Sequence, residues 1–124
     1  MNYSDFCKYY KTEEELQALG NKICLENNQS HLPKIKLKHN RKGYTTYSTG
    51  HISIPIWAIQ QGEDFLRYYL IHEVTHWILK RGHCQEFKDK EKEILSRYGL
   101  TVIYSRVYAK VLLKNNQEVW KKSW

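Results

Sequence analysis

The segment HEVTH, residues 72 to 76, contains two histidines four positions apart, with a glutamate directly after the first. On an α-helix, at about 100° per residue, His76 stands about 40° from His72 and one turn further along. Both imidazoles therefore project from one face, where they can reach a single zinc ion. Glu73 stands beside them, outside the coordination sphere but near enough to exchange a proton with a water on the metal. The spacing predicts a catalytic zinc site with two histidine ligands and Glu73 as its base.

A catalytic zinc site needs a third protein ligand and an open position for water. His83 is the favoured third ligand, because it is the only histidine downstream of the motif and Gly82 lets the chain turn back toward the site. The residues after it offer alternatives, which are Cys84, Glu86, Glu91 and Glu93. A fourth protein ligand, Cys84 or Glu86, would make the site structural instead of catalytic.

Three helices are predicted, and the central one carries the motif. Residues 63–81 begin with acidic side chains, end with basic ones and are followed by a glycine, as expected of one complete helix. Most of its other side chains are apolar, which indicates a helix packed inside the domain. A second helix follows over about residues 84–98 and stops at Gly99. An N-terminal helix is predicted over residues 12–27, with Thr12 as its cap.

The segments around these helices predict strands, so the chain is expected to fold as an α+β domain. KIKLK, residues 34–38, alternates basic and apolar side chains, and residues 43–50 are rich in Tyr and Thr between two glycines. In HISIPIWAI, residues 51–59, Pro55 lacks an amide donor and indicates an edge strand. The C-terminal residues 101–120 predict two strands joined at a turn-prone pair of asparagines, with a helix in the middle of this segment as the alternative.

The length and composition limit the class of protein. With 124 residues, 41% hydrophobic and 27% charged, the chain is expected to form one domain over residues 1–124. The sequence shows no apolar run long enough to span a membrane and no apolar signal region. Three cysteines without CxxC pairing indicate free thiols in a reducing compartment. We expect a soluble, monomeric, cytoplasmic protein.

The basic residues predict a class of partner. The net charge is +7, and the segment KIKLKHNRK, residues 34–42, contains no acid. One interpretation is a surface that contacts the phosphates of nucleic acid. The other is an edge strand whose lysines prevent aggregation. The side chains concerned are Lys34, Lys36, Lys38, Arg41 and Lys42.

HEVTH followed by GHCQEF, residues 82–87, resembles the SprT-like, Spartan-type zinc metallopeptidases of the zincin group, in which HExxH precedes a Gly-His and an aromatic residue. The resemblance covers about residues 35–98. It implies a minimal zincin-like domain, with an N-terminal helix, a small mostly antiparallel sheet, the HExxH helix, a second helix and C-terminal strands. It also implies one Zn²⁺, held by His72, His76 and His83, and Glu73 as the general acid/base of peptide hydrolysis.

The resemblance further implies partners for the site. A protein or peptide substrate is expected to bind as an added strand along residues 51–59, and proteins associated with DNA are a substrate class in this family. Tyr104 is a candidate stabiliser of the oxyanion. The interval between His76 and Gly82 is shorter than in many SprT-like proteins. Two other functions stay open, a zinc-dependent binding module without catalysis and a metal-dependent hydrolase of a non-peptide amide.

Overall fold

The structure is a computed structural model, which describes the backbone of residues 3–104, 108–112 and 118–122 and the side chains of residues 12–102. Along these residues the chain forms, in order, α1 (Tyr3–Glu26), β1 (Lys34–Lys38), β2 (Tyr44–Thr46), β3 (His51–Pro55), a 3-10 helix (Ile56–Gln61), α2 (Glu63–Leu79), α3 (Gln85–Arg97), β4 (Thr101–Tyr104), β5 (Tyr108–Leu112) and β6 (Glu118–Lys122). This order of helices and strands confirms the predicted α+β class.

The first three strands form one sheet with the order β1-β3-β2. β1 runs parallel to β3, with Ile35 beside Ile52. β2 runs antiparallel to β3, with Thr45 beside the same Ile52. Partners across a ladder lie on one side of a sheet, so these three side chains all face the helices. The sheet beside the motif helix is therefore mixed, where a mostly antiparallel one was predicted.

β3 is the central strand of this sheet, so the predicted edge strand over residues 51–59 is wrong. The strand ends at Pro55 and the chain continues as the 3-10 helix. Pro55 is tolerated because it is the last residue of β3. The pairing of β3 with β2 extends only as far as Ser53, which lies beside Tyr44. The missing amide of Pro55 therefore interrupts no ladder with β2. The edges of this sheet are β1 and β2.

Side chains of α1 cover the outer edge of β1. Gln17 Oε1 accepts a hydrogen bond from the Ile35 amide at 2.8 Å, and Gln17 Nε2 donates to the Pro33 carbonyl at 2.9 Å. One turn earlier on the helix, Glu13 Oε2 accepts from the Leu37 amide at 2.9 Å. These bonds satisfy backbone groups that an edge strand leaves unpaired. α1 therefore protects β1 from pairing with a further strand.

α2 lies at the centre of the domain, in contact with α1, the mixed sheet and α3. Eleven of its 17 residues are buried, and Leu70, Ile71 and Val74 have no exposed surface. A helix that is apolar on nearly all sides is stable inside a fold, so this placement confirms the prediction of a packed motif helix. No helix in the described part of the chain is long and apolar enough to cross a membrane.

The ends of two helices differ from the sequence-based expectation. α1 begins at Tyr3, so Thr12 lies inside the helix and does not cap it. α2 ends at Leu79, because Lys80 adopts a left-handed conformation with φ of 55°. The turn that was predicted at Gly82 is therefore made two residues earlier. A lysine in this conformation carries a steric cost that the usual glycine would avoid.

The C-terminal segment forms an antiparallel sheet of β4, β5 and β6 in sequential order. Val102 lies opposite Val111, which in turn lies opposite Val119. Three strands occupy a region for which two were predicted, and β5 excludes the alternative helix there. β4 contacts α3, which connects this sheet to the helical layer. The asparagine pair at residues 115 and 116, predicted as a turn, lies outside the described residues.

We expect Gln17→Leu to lower the free energy of unfolding by about 2–4 kcal/mol, because it leaves the Ile35 amide and the Pro33 carbonyl without these partners. Gln60→Leu, at an exposed glutamine of the 3-10 helix, is the control and should change that energy by less than about 0.5 kcal/mol. Urea denaturation followed by circular dichroism measures both. Equal stabilities of the two variants would contradict the role of α1 as the cover of β1.

Candidate metal centre

Three imidazoles meet at the end of α2 and in the loop that follows it. His72 and His76 lie on consecutive turns of α2, and His83 lies between α2 and α3. The Nε2 atom of His83 is 3.0 Å from Nε2 of His76 and 3.2 Å from Nε2 of His72. Among the described residues, these three histidines form a group compact enough to hold one metal ion. The structure thus brings the three predicted ligands together.

Both histidines of α2 have a hydrogen-bonding partner at Nδ1. His72 Nδ1 lies 2.5 Å from Oε2 of Glu91, a fully buried carboxylate of α3. His76 Nδ1 lies 2.7 Å from the carbonyl oxygen of Arg81. A carbonyl oxygen only accepts, so His76 donates from Nδ1 and carries its lone pair on Nε2. The carboxylate favours the same tautomer of His72, so both lone pairs point toward the shared centre.

The donor set fits a zinc ion. Imidazole nitrogens are common zinc ligands, and tetrahedral coordination at about 2.0–2.1 Å separates two such nitrogens by roughly 3.3 Å. The separations of 3.0 and 3.2 Å between the imidazoles are close to this value. Hydrogen bonding among the imidazoles satisfies the three nitrogens less well. His83 Nε2 carries at most one proton, whereas the Nε2 atoms of His72 and His76 would both need one. One cation satisfies all three nitrogens together.

Phe87 of α3 closes the inner side of the centre. Its ring centroid lies 4.3 Å from that of His76 and 5.1 Å from those of both His72 and His83. Phe87 and His72 are buried, whereas His76 and His83 are partly exposed. The centre is therefore walled by protein on one side and reached by solvent on the other. A catalytic metal site needs such an open side for water and substrate.

Glu73 is oriented by β2. Its Oε1 accepts a hydrogen bond from Thr45 Oγ1 at 2.9 Å, and the same hydroxyl lies 3.0 Å from the Glu73 carbonyl oxygen. Only 4% of Glu73 is exposed. Burial raises the pKa of the nearby Tyr47 and Tyr69 phenols, and the negative charge of Glu73 raises both pKa values further. Glu73 is thus a buried carboxyl group, directly after one potential ligand, with its orientation fixed.

The alternative ligands predicted from the sequence do not join this group. Glu91 contacts the outer nitrogen of His72, so it orients this imidazole and is not part of the group itself. Glu86 and Glu93 form ion pairs on the surface. Cys84 is an exposed thiol outside the group. No fourth protein ligand is therefore placed at the centre by the described side chains.

Thr45 and Tyr47 are the site residues that the sequence analysis missed. Tyr47 donates a hydrogen bond of 3.3 Å to the loop after α2. No sequence signal marks either residue, because both reach the site only when β2 packs beside α2. Glu91 did carry a signal, since it follows the buried Phe87 by one helical turn and a buried carboxylate needs a partner. The side chain of Tyr104, the predicted oxyanion stabiliser, lies outside the described residues.

The basic residues predicted to contact nucleic acid lie on the side of the mixed sheet that faces away from the helices. The lysines of β1 point outward, since Ile35 between them is buried against the helices. Lys36 forms an ion pair with Glu13 at 3.2 Å. The loop after β1 lies over the same side, because Asn40 donates a hydrogen bond to the Ser53 hydroxyl at 3.3 Å. Four of the predicted contacts are exposed: Lys34, Lys38, Arg41 and Lys42.

No family model, curated protein or solved structure matches this chain. The function is therefore inferred from the imidazole group, the two acceptors that orient it and the neighbouring glutamate.

Glu91→Gln should weaken zinc binding about 10- to 100-fold, because a neutral amide supports the Nδ1 proton of His72 less strongly than a carboxylate does. Glu93→Gln is the matched control at an exposed position on the same helix, and it should bind zinc like the wild type. Competition with a chromophoric chelator measures the affinities. If Glu91→Gln bound zinc as tightly as the control, the orienting role of Glu91 would be wrong.

Proposed function

We propose that the protein is a zinc-dependent metallopeptidase of the SprT-like, zincin type, which hydrolyses peptide bonds. One observation carries the proposal: three imidazole nitrogens lie within 4.8 Å of one another, and a buried glutamate directly follows the first of these histidines in the chain. Zinc held by these nitrogens would supply Lewis acidity, which makes water nucleophilic near neutral pH and polarises a peptide carbonyl. Glu73 supplies the base that such a hydrolysis also needs.

Each residue of the site would have a separate role in the reaction. His72, His76 and His83 would hold the ion through their Nε2 atoms. Glu73 accepts a proton from the attacking water at its carboxylate and delivers it to the nitrogen of the leaving amine. Thr45 keeps that carboxylate in one orientation by donating to Oε1. The chain thus contributes three oriented metal ligands and an oriented base. Their positions do not depend on which substrate is bound.

An extended peptide substrate would lie along β2. β3 is paired on both sides and cannot accept another strand, whereas β2 is an edge of the sheet. Thr45 of β2 contacts Glu73, so a peptide that adds beside this strand passes the base. Backbone hydrogen bonds would hold such a peptide without regard to its sequence. Broad specificity with a preference for unfolded segments follows from this binding mode.

Glu73→Gln should lower kcat/KM for an unfolded protein substrate by at least about 10²-fold while zinc stays bound, because an amide cannot accept the proton. Glu63→Gln, an exposed position at the start of the same helix, is the control and should keep full activity. Cleavage is followed by gel electrophoresis, and zinc content is measured in parallel.

Two outcomes of this experiment favour other functions. Full activity of Glu73→Gln in the protein's biological assay, with zinc present and no proteolysis by the wild type, favours a binding module. Hydrolysis of small-molecule amides without cleavage of any peptide favours a hydrolase of non-peptide bonds. A wild-type protein that holds no stoichiometric zinc under metal-replete conditions contradicts all three functions, the peptidase, the zinc-dependent binding module and the hydrolase of non-peptide bonds.

We also propose that the outward side of the mixed sheet binds nucleic acid, so that the peptidase acts on proteins associated with DNA. The exposed side chains on this side are Lys34 and Lys38 of β1 and Tyr44 of β2. Ser53, in the central strand between them, is buried beneath the loop after β1. Lysines neutralise phosphates, and the exposed Tyr44 ring can stack on a base. Protection of an edge explains these lysines less well, because α1 already covers the edge of β1.

Replacing Lys34 and Lys38 together by glutamate should weaken binding to a single-stranded oligonucleotide and reduce its dependence on salt. The slope of log K against log salt concentration should fall by about 0.7 for each phosphate that the variant no longer neutralises. The double variant Lys22→Glu, Lys92→Glu changes the net charge equally on α1 and α3 and should bind more tightly than the first. Fluorescence anisotropy measures both. Equally weakened binding in the two variants would mean that net charge alone attracts the oligonucleotide.

A further inference from the structure

The loop that carries His83 is weakly packed for a segment that must place a metal ligand. Lys80, Arg81, Gly82 and Cys84 are all exposed, and a Cβ atom added at Gly82 would meet nothing within 4 Å. Apolar burial therefore contributes little to the position of this loop. The position of the loop must therefore depend on hydrogen bonds, and the carbonyl oxygen of Arg81 accepts two of them.

Tyr47, at the first position after β2, ties this carbonyl to the mixed sheet. Its hydroxyl donates to the Arg81 oxygen at 3.3 Å, and His76 Nδ1 lies 2.7 Å from the same oxygen. A carbonyl oxygen has two lone pairs, so it can accept both bonds at once. One backbone group thus connects the second histidine of α2, the loop that bears His83 and the turn that follows β2.

The surroundings of Tyr47 keep its hydroxyl in place as a donor. The ammonium of Lys80 lies over the Trp77 ring and 5.7 Å from the centroid of the Tyr47 ring. The Tyr47 ring thus has a cation–π contact at the end of α2, in addition to the hydrogen bond of its hydroxyl. Burial and the negative charge of Glu73 raise the pKa of the Tyr47 phenol, which therefore stays protonated in neutral and mildly alkaline solution. Two residues earlier, Thr45 orients Glu73.

We propose that Tyr47 is a positioning residue for the third ligand: its hydrogen bond to the Arg81 carbonyl fixes the loop so that His83 meets His72 and His76. This inference rests on the proposed zinc site but not on its catalytic use. β2 and the turn after it then have two tasks, because Thr45 of the strand orients the base and Tyr47 of the turn holds the ligand loop. Without the Tyr47 hydroxyl, the loop loses its tie to the sheet and His83 spends less time at the centre.

Tyr47→Phe removes only the hydroxyl and should weaken zinc binding about three- to tenfold, as expected for one neutral hydrogen bond. Tyr44→Phe is the matched control, because Tyr44 has the same exposure, 44% against 43%, and its hydroxyl makes no hydrogen bond to the described residues. Chelator competition measures the affinities of the full chain, and the thermal stability of the metal-free proteins should be the same. The tetrahedral absorption of bound Co²⁺ should be weaker in Tyr47→Phe than in the control.

The His83→Ala background separates positioning from a general structural effect. If Tyr47 acts through His83, Tyr47→Phe should change zinc affinity by less than about twofold once His83 is absent. Equal affinities of wild type and Tyr47→Phe, or an equal reduction with and without His83, would overturn the inference and leave the peptidase proposal intact. Where His83→Ala binds zinc too weakly to measure, an unaltered Co²⁺ spectrum in Tyr47→Phe overturns it. Failure of the wild type to bind zinc overturns both proposals.

Discussion

Three imidazole nitrogens converge on one point at the end of α2, and a fold that keeps them there must resist their separation. α2 meets this demand because it is enclosed by α1, the mixed sheet and α3, so two of the imidazoles have rigid backbones. Their rotation is limited by acceptors at Nδ1, a carboxylate for His72 and a carbonyl for His76. The third imidazole has no such scaffold, and its loop depends on the few directed bonds described above.

Burying His72, Glu73 and Glu91 in the core has an energetic cost that the fold offsets with specific partners. An unpaired buried charge costs several kcal/mol, so Glu91 is placed against an imidazole and Glu73 against a hydroxyl. A metal ion at the centre would compensate this cost further, because ligands that bind only the folded state stabilise it. With a metal bound, the same acidic groups would serve the site and couple the stability of the domain to metal binding.

The two edges and two sides of the mixed sheet have different roles. The edge at β1 is covered by α1, and the edge at β2 is left beside the glutamate of the site. One side of the sheet packs against the helices and so positions the centre, while the other carries lysines and Tyr44. Peptide and nucleic acid would therefore meet the protein on different surfaces of three short strands, and neither would exclude the other.

Local signals in the sequence determined the helix that carries HEVTH, its burial and the identity of the three convergent histidines, since periodicity and ligand spacing act within a few residues of each other. They did not determine the sheet. Pro55 indicated an edge strand, but strand order depends on which segments pair across the fold, and β3 became central. Glu91 was predicted only as an alternative to His83 as the third ligand, and Thr45 and Tyr47 were not predicted at all. Their roles follow from how α3 and β2 pack against α2, which only the tertiary structure decided.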